Sequence, residues 1–306
     1  YMRMHNEAVL TRTPIGKLGS ETVLYSDEKI ANTLAGGDPL IYPANDWRGM
    51  LFKPYTMNQR YNLNISGGGG VARYYISGSL NQDNGVLKVD KRNNFNSNID
   101  LKSYTLRSNI TLDVTKTTEM IVRLSGNFDD YTGPIDGGAQ MYDKVMRSNP
   151  VLFPAYYEPT DEFRYVKHIM FGNSGAGNYR NPYADMVRGY KDYSRSLMLA
   201  QIELSQNLNF VTPGLSVRGM VNTNRESYFE VSRDYNPFYY VMTGYDRFND
   251  KLYLRNVNEN TATEYLNYRE GEKRIFSTFY GEAMLNYNRT FNEKHTVSAL
   301  AGYSAQ

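Results

Sequence analysis

Between Arg60 and Phe128 the chain changes character at every second residue. Tyr61, Leu63 and Ile65 fall on one face, with Arg60, Asn62, Asn64 and Ser66 on the other. Past Gly67 to Gly70, which read as a tight turn at positive φ, Ala72, Tyr74, Ile76 and Leu80 oppose Arg73, Tyr75, Ser77 and Ser79. Tyr104, Leu106, Ile110, Leu112 and Val114 then oppose Thr105, Arg107, Asn109, Thr111 and Asp113, and Met120 to Phe128 follows a short connection. Side chains alternate across a strand, so each run is a strand with one apolar and one polar face. Four such strands joined by turns make an antiparallel meander.

The strand length decides what the apolar face meets. Soluble strands run to about five or six residues, whereas these reach about ten, the length a tilted strand needs to cross a bilayer. The opposite face carries no second apolar set, which fits lipid outside and a polar lumen inside. The pattern resumes where Met198, Ala200, Ile202, Leu204 and Leu208 oppose Gln201, Glu203, Ser205 and Asn207. It continues through Leu215, Val217 and Val221, then Phe279 to Phe291, then Val297 to Tyr303. Connections near Ser66, Thr115, Thr212 and Asn292 are short, and those between them are long. An outer-membrane barrel sorts its turns and loops in this way. The reading places Leu63, Ile76, Leu112, Leu204 and Leu285 toward lipid. A soluble β domain is the rival that detergent partitioning separates.

Composition narrows the alternatives. The net charge of +2 over 306 residues argues against a nucleic-acid surface. A mean hydropathy of −0.60 is compatible with membrane insertion only where apolar residues are spread by alternation. The absence of cysteine removes disulfides and thiolate metal sites. His5, His168 and His295 are scattered, and the acids after Phe128 lack the ligand pattern of a calcium loop. Glu203 and Glu282 both face the expected lumen, where carboxylates need no glycosidase explanation. No enzyme and no cofactor is expected.

A family resemblance rests on the same stretch. Tyr61, Asn62, Leu63, Asn64, Ile65 and Ser66 with Gly67 and Gly68, then Tyr74, Tyr75, Ser77 and the turn ending at Gly85, resemble the early barrel of SusC-like TonB-dependent transporters. Upstream, Asp38, Pro39, Tyr42, Pro43, Asp46, Trp47, Leu51 and Phe52 are similar to that family as well, and Leu80 stands where it more often shows an aromatic residue. The resemblance implies an all-β, antiparallel transmembrane β-barrel segment of about eight strands within a 22-stranded barrel, from a Gram-negative outer membrane. It also implies import of oligosaccharides or peptides, a SusD-like surface lipoprotein as lid, and the TonB complex acting through a plug outside this segment. A passive barrel or surface adhesin is the alternative.

The expected organisation is an irregular and helical connection over 1–59, strands over 60–128 and a long extracellular loop over 129–194. Strands then occupy 195–231, a second extracellular loop 232–272, and strands 273–306. Ser26 caps a helix ending at Gly36 and Gly37, and Asp46 starts another containing Trp47, which packs locally. Met141 to Met146 form a helical turn or two. Residues 173–178 read as a flexible loop. Aromatic and amide-rich loop surface is what the chain offers a sugar or a peptide, and Tyr156, Tyr157, Tyr239, Tyr240 and Tyr245 are the candidate substrate contacts.

Overall fold

The computed structural model describes residues 1–17, 19, 23–175 and 180–306. Its strands are β1 (Gln59–Gly68), β2 (Ala72–Asn84), β3 (Asp100–Thr115), β4 (Thr118–Gly133), β5 (Tyr156–Tyr157), β6 (Met170–Gly172), β7 (Gly189–Asn207), β8 (Leu215–Asp234), β9 (Phe238–Asp246), β10 (Lys251–Asn256), β11 (Asn267–Phe291) and β12 (His295–Ala305). Its α-helices are α1 (Met2–Arg12), α2 (Asp27–Leu34), α3 (Trp47–Leu51), α4 (Gly138–Arg147) and α5 (Pro182–Val187). Eight strands pair in the order β1-β2-β3-β4-β7-β8-β11-β12, and β10-β9-β6-β5 form a separate sheet. Among the described residues no helix is long and apolar enough to cross a membrane.

The register sorts the two faces as the alternation predicts. Residues paired across neighbouring strands share a face, and Ala72, Leu112, Met120, Leu204, Gly219 and Ala283 form one continuous row. Leu63, Ile76 and Leu285 fall on the same side of the pleat. These apolar side chains are left open by the protein, with Leu63 at 69% and Leu204 at 48% exposure. Toward the long connections the band ends on a row of Tyr61, Leu80, Tyr104 and Phe128. The next row out is Gln59, Gln82, Lys102 and Asp130, a change from aromatic to polar of the kind found at a bilayer interface.

Strands β1 and β12 are the outer strands of the sheet and are not paired to each other. Each presents an open backbone edge, which hydrocarbon does not tolerate.

Every second connection is short, and these lie together at one end. The β1–β2 turn closes through Gly69 N–H donating to the Ala72 carbonyl at 2.8 Å. None of Gly67 to Gly70 has the positive φ expected from the sequence; at this end of the sheet Gly214, Asn292 and Glu293, in two of the other short turns, adopt it. A Cβ at Gly67 would lie 2.7 Å from the hydroxyl of Tyr74, its cross-strand partner, so a larger residue there would make the tyrosine tip move aside.

At the other end the strands outlast the alternation. β4 continues to Gly133 and β7 starts at Gly189, while β8 reaches Asp234 and β11 starts at Asn267. The 20 residues of β8 span roughly 65 Å, about twice the hydrocarbon thickness. The wall therefore stands well clear of the membrane on the long-connection side.

Above it the excursions 134–188 and 235–266 fold together with 1–58 and 85–99 into a cap. The core of the cap contains Trp47, Leu51, Leu87, Met141, Val145, Phe153, Phe171, Tyr183 and Tyr239. The helices follow their local signals. Ser26 Oγ accepts from Lys29 N–H at 3.2 Å and Asp46 Oδ1 from Gly49 N–H at 3.0 Å. Trp47 packs with Leu51 of its own helix and also with residues about a hundred positions away, and its Nε1–H donates to the Asn149 carbonyl at 3.1 Å. Residues 176–178 of the expected flexible loop lie outside the described residues, and Asn173 is buried.

Asn181 knots the cap. It is fully buried; its Oδ1 accepts from the N–H groups of Tyr183 and Ala184, capping α5, while its Nδ2 donates to the carbonyls of Ala155 and Gly172. Asn181→Ala strands both pairs of backbone groups, and the expected loss is about 2–3 kcal/mol. Hydrogen exchange in full-length protein checks it, with faster exchange over 170–187 and no change in β3 or β4.

Candidate functional site

The five tyrosines that the sequence offers as loop contacts all lie in the cap, and four of them are packed into it. Tyr157, Tyr239 and Tyr240 are 4%, 5% and 2% exposed. Tyr156 is half-buried beneath the Arg92 guanidinium, 4.4 Å from its ring centre. Tyr245 lies in the β9–β10 hairpin, where its hydroxyl donates to Asp250 at 2.7 Å. Pairing is the reason for the burial. β5 joins β6, and β6 runs parallel to β9, matching Phe171 with Tyr239. The prolines on either side of Tyr156 and Tyr157 thus frame a strand rather than a loop tip. Burial pushes the Tyr157 phenol up to about 12, so it stays neutral at ordinary pH.

Beside this core a cavity of about 680 Å³ opens between α4, α5 and the segment 147–153. Four cations line it, Lys144, Arg147, Arg180 and Arg188, against two carboxylates, Asp143 and Asp185. Phe153, Leu152 and Pro182 supply apolar lining and Asn149 an amide. The cations are held in place. Lys144 Nζ lies 2.7 Å from Asp136 and 2.8 Å from Asp185, and Arg188 Nη2 lies 2.8 Å from Asp136.

Burial alone would raise the Asp136 pKa, but the hydrogen bonds and charges of Lys144 and Arg188 outweigh it and hold this carboxyl below its ordinary value. Burial alone would lower Lys144, and its bonds to Asp136 and Asp185 carry it above the lysine value instead. A depressed carboxyl contributes stability that is complete above its unfolded pKa of about 3.9 and is lost as pH falls through the folded value. A raised lysine contributes stability that is complete below about 10.4 and is lost as pH rises through its folded value. The cap is thus expected to resist proteolysis at 147–153 evenly between these limits and to open in acid. Asp136→Asn is expected to be cut more readily at neutral pH and to show a smaller acid step.

No family model matches the chain. The TonB-dependent receptor P39 of Formosa agariphila is 26% identical over 262 residues, covering 83% of this chain and 20% of the relative. The chain therefore spans about a fifth of that relative's length. Among solved structures, the RagAB peptide importer in its open-open state superposes with a TM-score of 0.56 at 13% identity, over 99% of this chain and 31% of that one. The closed-closed state gives 0.53 at 14% identity, over 86% and 26%. The sequence match and the shared fold agree with the two-faced sheet. The chain is similar to a barrel segment of a SusC-like TonB-dependent receptor.

In this barrel wall the apolar band faces lipid and the opposite face lines the lumen. Lumen-facing charges are paired across strands. Glu203, 8% exposed, lies 3.0 Å from Arg123 and 2.8 Å from Arg218, and Arg73 lies 3.1 Å from Glu119. Glu226 is shared by Arg195 and Arg274. Glu203 is thus neutralised by two arginines, and Met220 stands between it and Glu282 in the paired row. His168 stacks on Phe238 with ring centres 3.6 Å apart and bridges Glu264 and Tyr240, both at 2.9 Å, joining the two excursions. Among the described residues no group of three or more His, Asp or Glu is placed to hold a metal ion. The cavity was not legible in sequence, although the cations of α4 and the Asn181-Pro182 helix start were visible there.

Proposed function

We propose that the chain forms part of the wall and outer mouth of an outer-membrane importer of oligosaccharides or peptides. The whole receptor takes energy from the TonB complex through a plug, and a SusD-like surface lipoprotein closes over the cap. The observation that carries this reading is the two-faced sheet itself. One face is an apolar band bounded by an aromatic row, and the other is a polar wall that continues beyond the bilayer into a folded cap. A rigid wall fixes the ends of the excursions, so recognition is built where they converge. The relative named a TonB-dependent receptor and the neighbours named peptide importers support the reading.

The test is uptake of labelled oligosaccharides and peptides by cells carrying the full-length receptor. Removing the TonB protein should abolish uptake while leaving the receptor inserted, and removing the neighbouring lipoprotein should weaken ligand retention. Uptake that persists without TonB would make the barrel a passive pore. Deleting the tip of 134–188 is a poorer test, because that segment supplies the core of the cap.

A further inference from the structure

We infer that Arg225, with the serines around it on the lipid-facing side of β8, seats the phosphate of an outer-leaflet lipid. This rests on the membrane-wall reading above and goes beyond it.

The first ground is a break in the apolar band. Over β1 to β4 the band ends on Tyr61, Leu80, Tyr104 and Phe128, but the same row continues as Ser196, Ser227 and Ile275. One row nearer the midplane, Gly126 is followed by Met198, Arg225 and Ser277. A patch of hydroxyls around one arginine thus interrupts the band across β7, β8 and β11. Its rim is apolar, since Met198, Phe229, Ile275 and Phe279 stand exposed around it. A charge in this position is costly unless something answers it.

The second ground is that the protein does not answer it. Arg225 is exposed, and among the described residues its guanidinium has no carboxylate or hydrogen-bond partner. The lumen-facing arginines of the same three strands, Arg195, Arg218, Arg269 and Arg274, each meet a carboxylate. β8 lies inside the sheet between β7 and β11, so the cross-strand neighbours of Arg225 on both sides are described.

Depth and chemistry name the occupant. The row of Ser227 is two residues further out, roughly 7 Å along the strand, a distance that an arginine covers by snorkelling. The guanidinium then lies at headgroup level, where its planar fork matches phosphate oxygens. Ser196 and Ser227 hold their hydroxyls 2.6 Å apart. One donates to the other, which leaves the second proton for an anion. Lys273, one row further out and paired with Glu270, adds positive charge above. Met198 and Phe279 lie toward the midplane and meet an acyl chain. A lipid offers phosphate and hydrocarbon in that same order, whereas a free anion would leave the apolar rim uncovered.

The experiment uses purified full-length receptor in detergent. Native mass spectrometry counts bound lipid A, beside the same lipid stripped of its phosphates. The phosphorylated form should be held at least about tenfold more tightly. Arg225→Gln should lose one equivalent of it, and Arg225→Lys should keep that equivalent with weaker affinity. Arg107→Gln, which removes an exposed arginine from the lumen face of β3, should change nothing. Inorganic phosphate in excess should not displace the lipid. Equal retention of both lipid forms, an unchanged count in Arg225→Gln, or displacement by inorganic phosphate would overturn the seat. So would a change of oligomeric state in Arg225→Gln without loss of lipid, which would make the patch a protein contact. Membrane insertion is scored separately by flotation with phosphatidylcholine vesicles. A receptor that floats yet keeps its lipid count in Arg225→Gln sinks the seat alone, and one that does not float sinks the wall reading.

Discussion

Leu124→Arg is expected to destabilise the membrane-inserted receptor by about 2–4 kcal/mol. Leu124 is 50% exposed and lies midway along the apolar run of β4, between Met120 beside the short turn and Phe128 on the aromatic row. An arginine there faces hydrocarbon near the midplane, too deep to reach either interface without distorting the bilayer. Leu112 shares its face but pairs with Met120, close to the turn end of the band. Leu112→Arg should therefore cost only about 0–1 kcal/mol. Ser125→Arg puts the same charge on the lumen face and should be close to neutral. Urea unfolding of full-length receptor in vesicles measures all three. Equal losses at Leu124 and Ser125 would mean that the faces have been assigned the wrong way round.

The second large effect lies in the cap. Trp47→Ala should cost about 3–5 kcal/mol. Trp47 is 4% exposed, packs on Phe153 with ring centres 6.2 Å apart, and meets Leu51, Met141 and Val145 in one cluster. Its removal leaves a cavity and an unanswered Asn149 carbonyl. Two neighbouring contacts depend on the same clasp, Asn45 N–H to Pro150 and Asn45 Nδ2 to Phe153. Hydrogen exchange should accelerate over 138–153 while β3, β4 and β7 stay protected, because no residue of the barrel sheet belongs to that cluster. Trp47→Phe keeps much of the packing and should lose less. Uniform acceleration through the sheet would show that wall and cap unfold as one unit.

These two sites also mark how far the sequence could be read. The wall was legible because its signal is local and repeated. A period of two survives in Tyr104 to Val114 without knowledge of what the strand pairs with. Helices α2 and α3 were legible through Ser26 and Asp46, whose side chains act within three residues. Helix α1 was not, since it has no side-chain cap and almost no segregation of apolar residues. The cap sheet was not either. Two residues of β5 and three of β6 are too few to display a period, and β6 finds β9 nearly seventy positions away. Tyr156, Tyr157, Tyr239 and Tyr240 therefore looked like exposed aromatics, when their composition was that of a small core. The cavity needed the same long-range placement, since Lys144 and Arg188 meet through Asp136 and Asp185.

The parallel pairing of β6 with β9 has a consequence for the order of assembly. Hairpins such as β1–β2 and β3–β4 close locally and can zip early. β6 leaves the wall from β4 and β9 leaves it from β8, so they are brought within reach only once β4, β7 and β8 are side by side. A slip of one residue between β7 and β8 would displace Phe171 from Tyr239 and empty the core around Tyr183. Closure of the cap is thereby conditional on correct register below it, and a receptor that buries Phe171 has already passed that inspection.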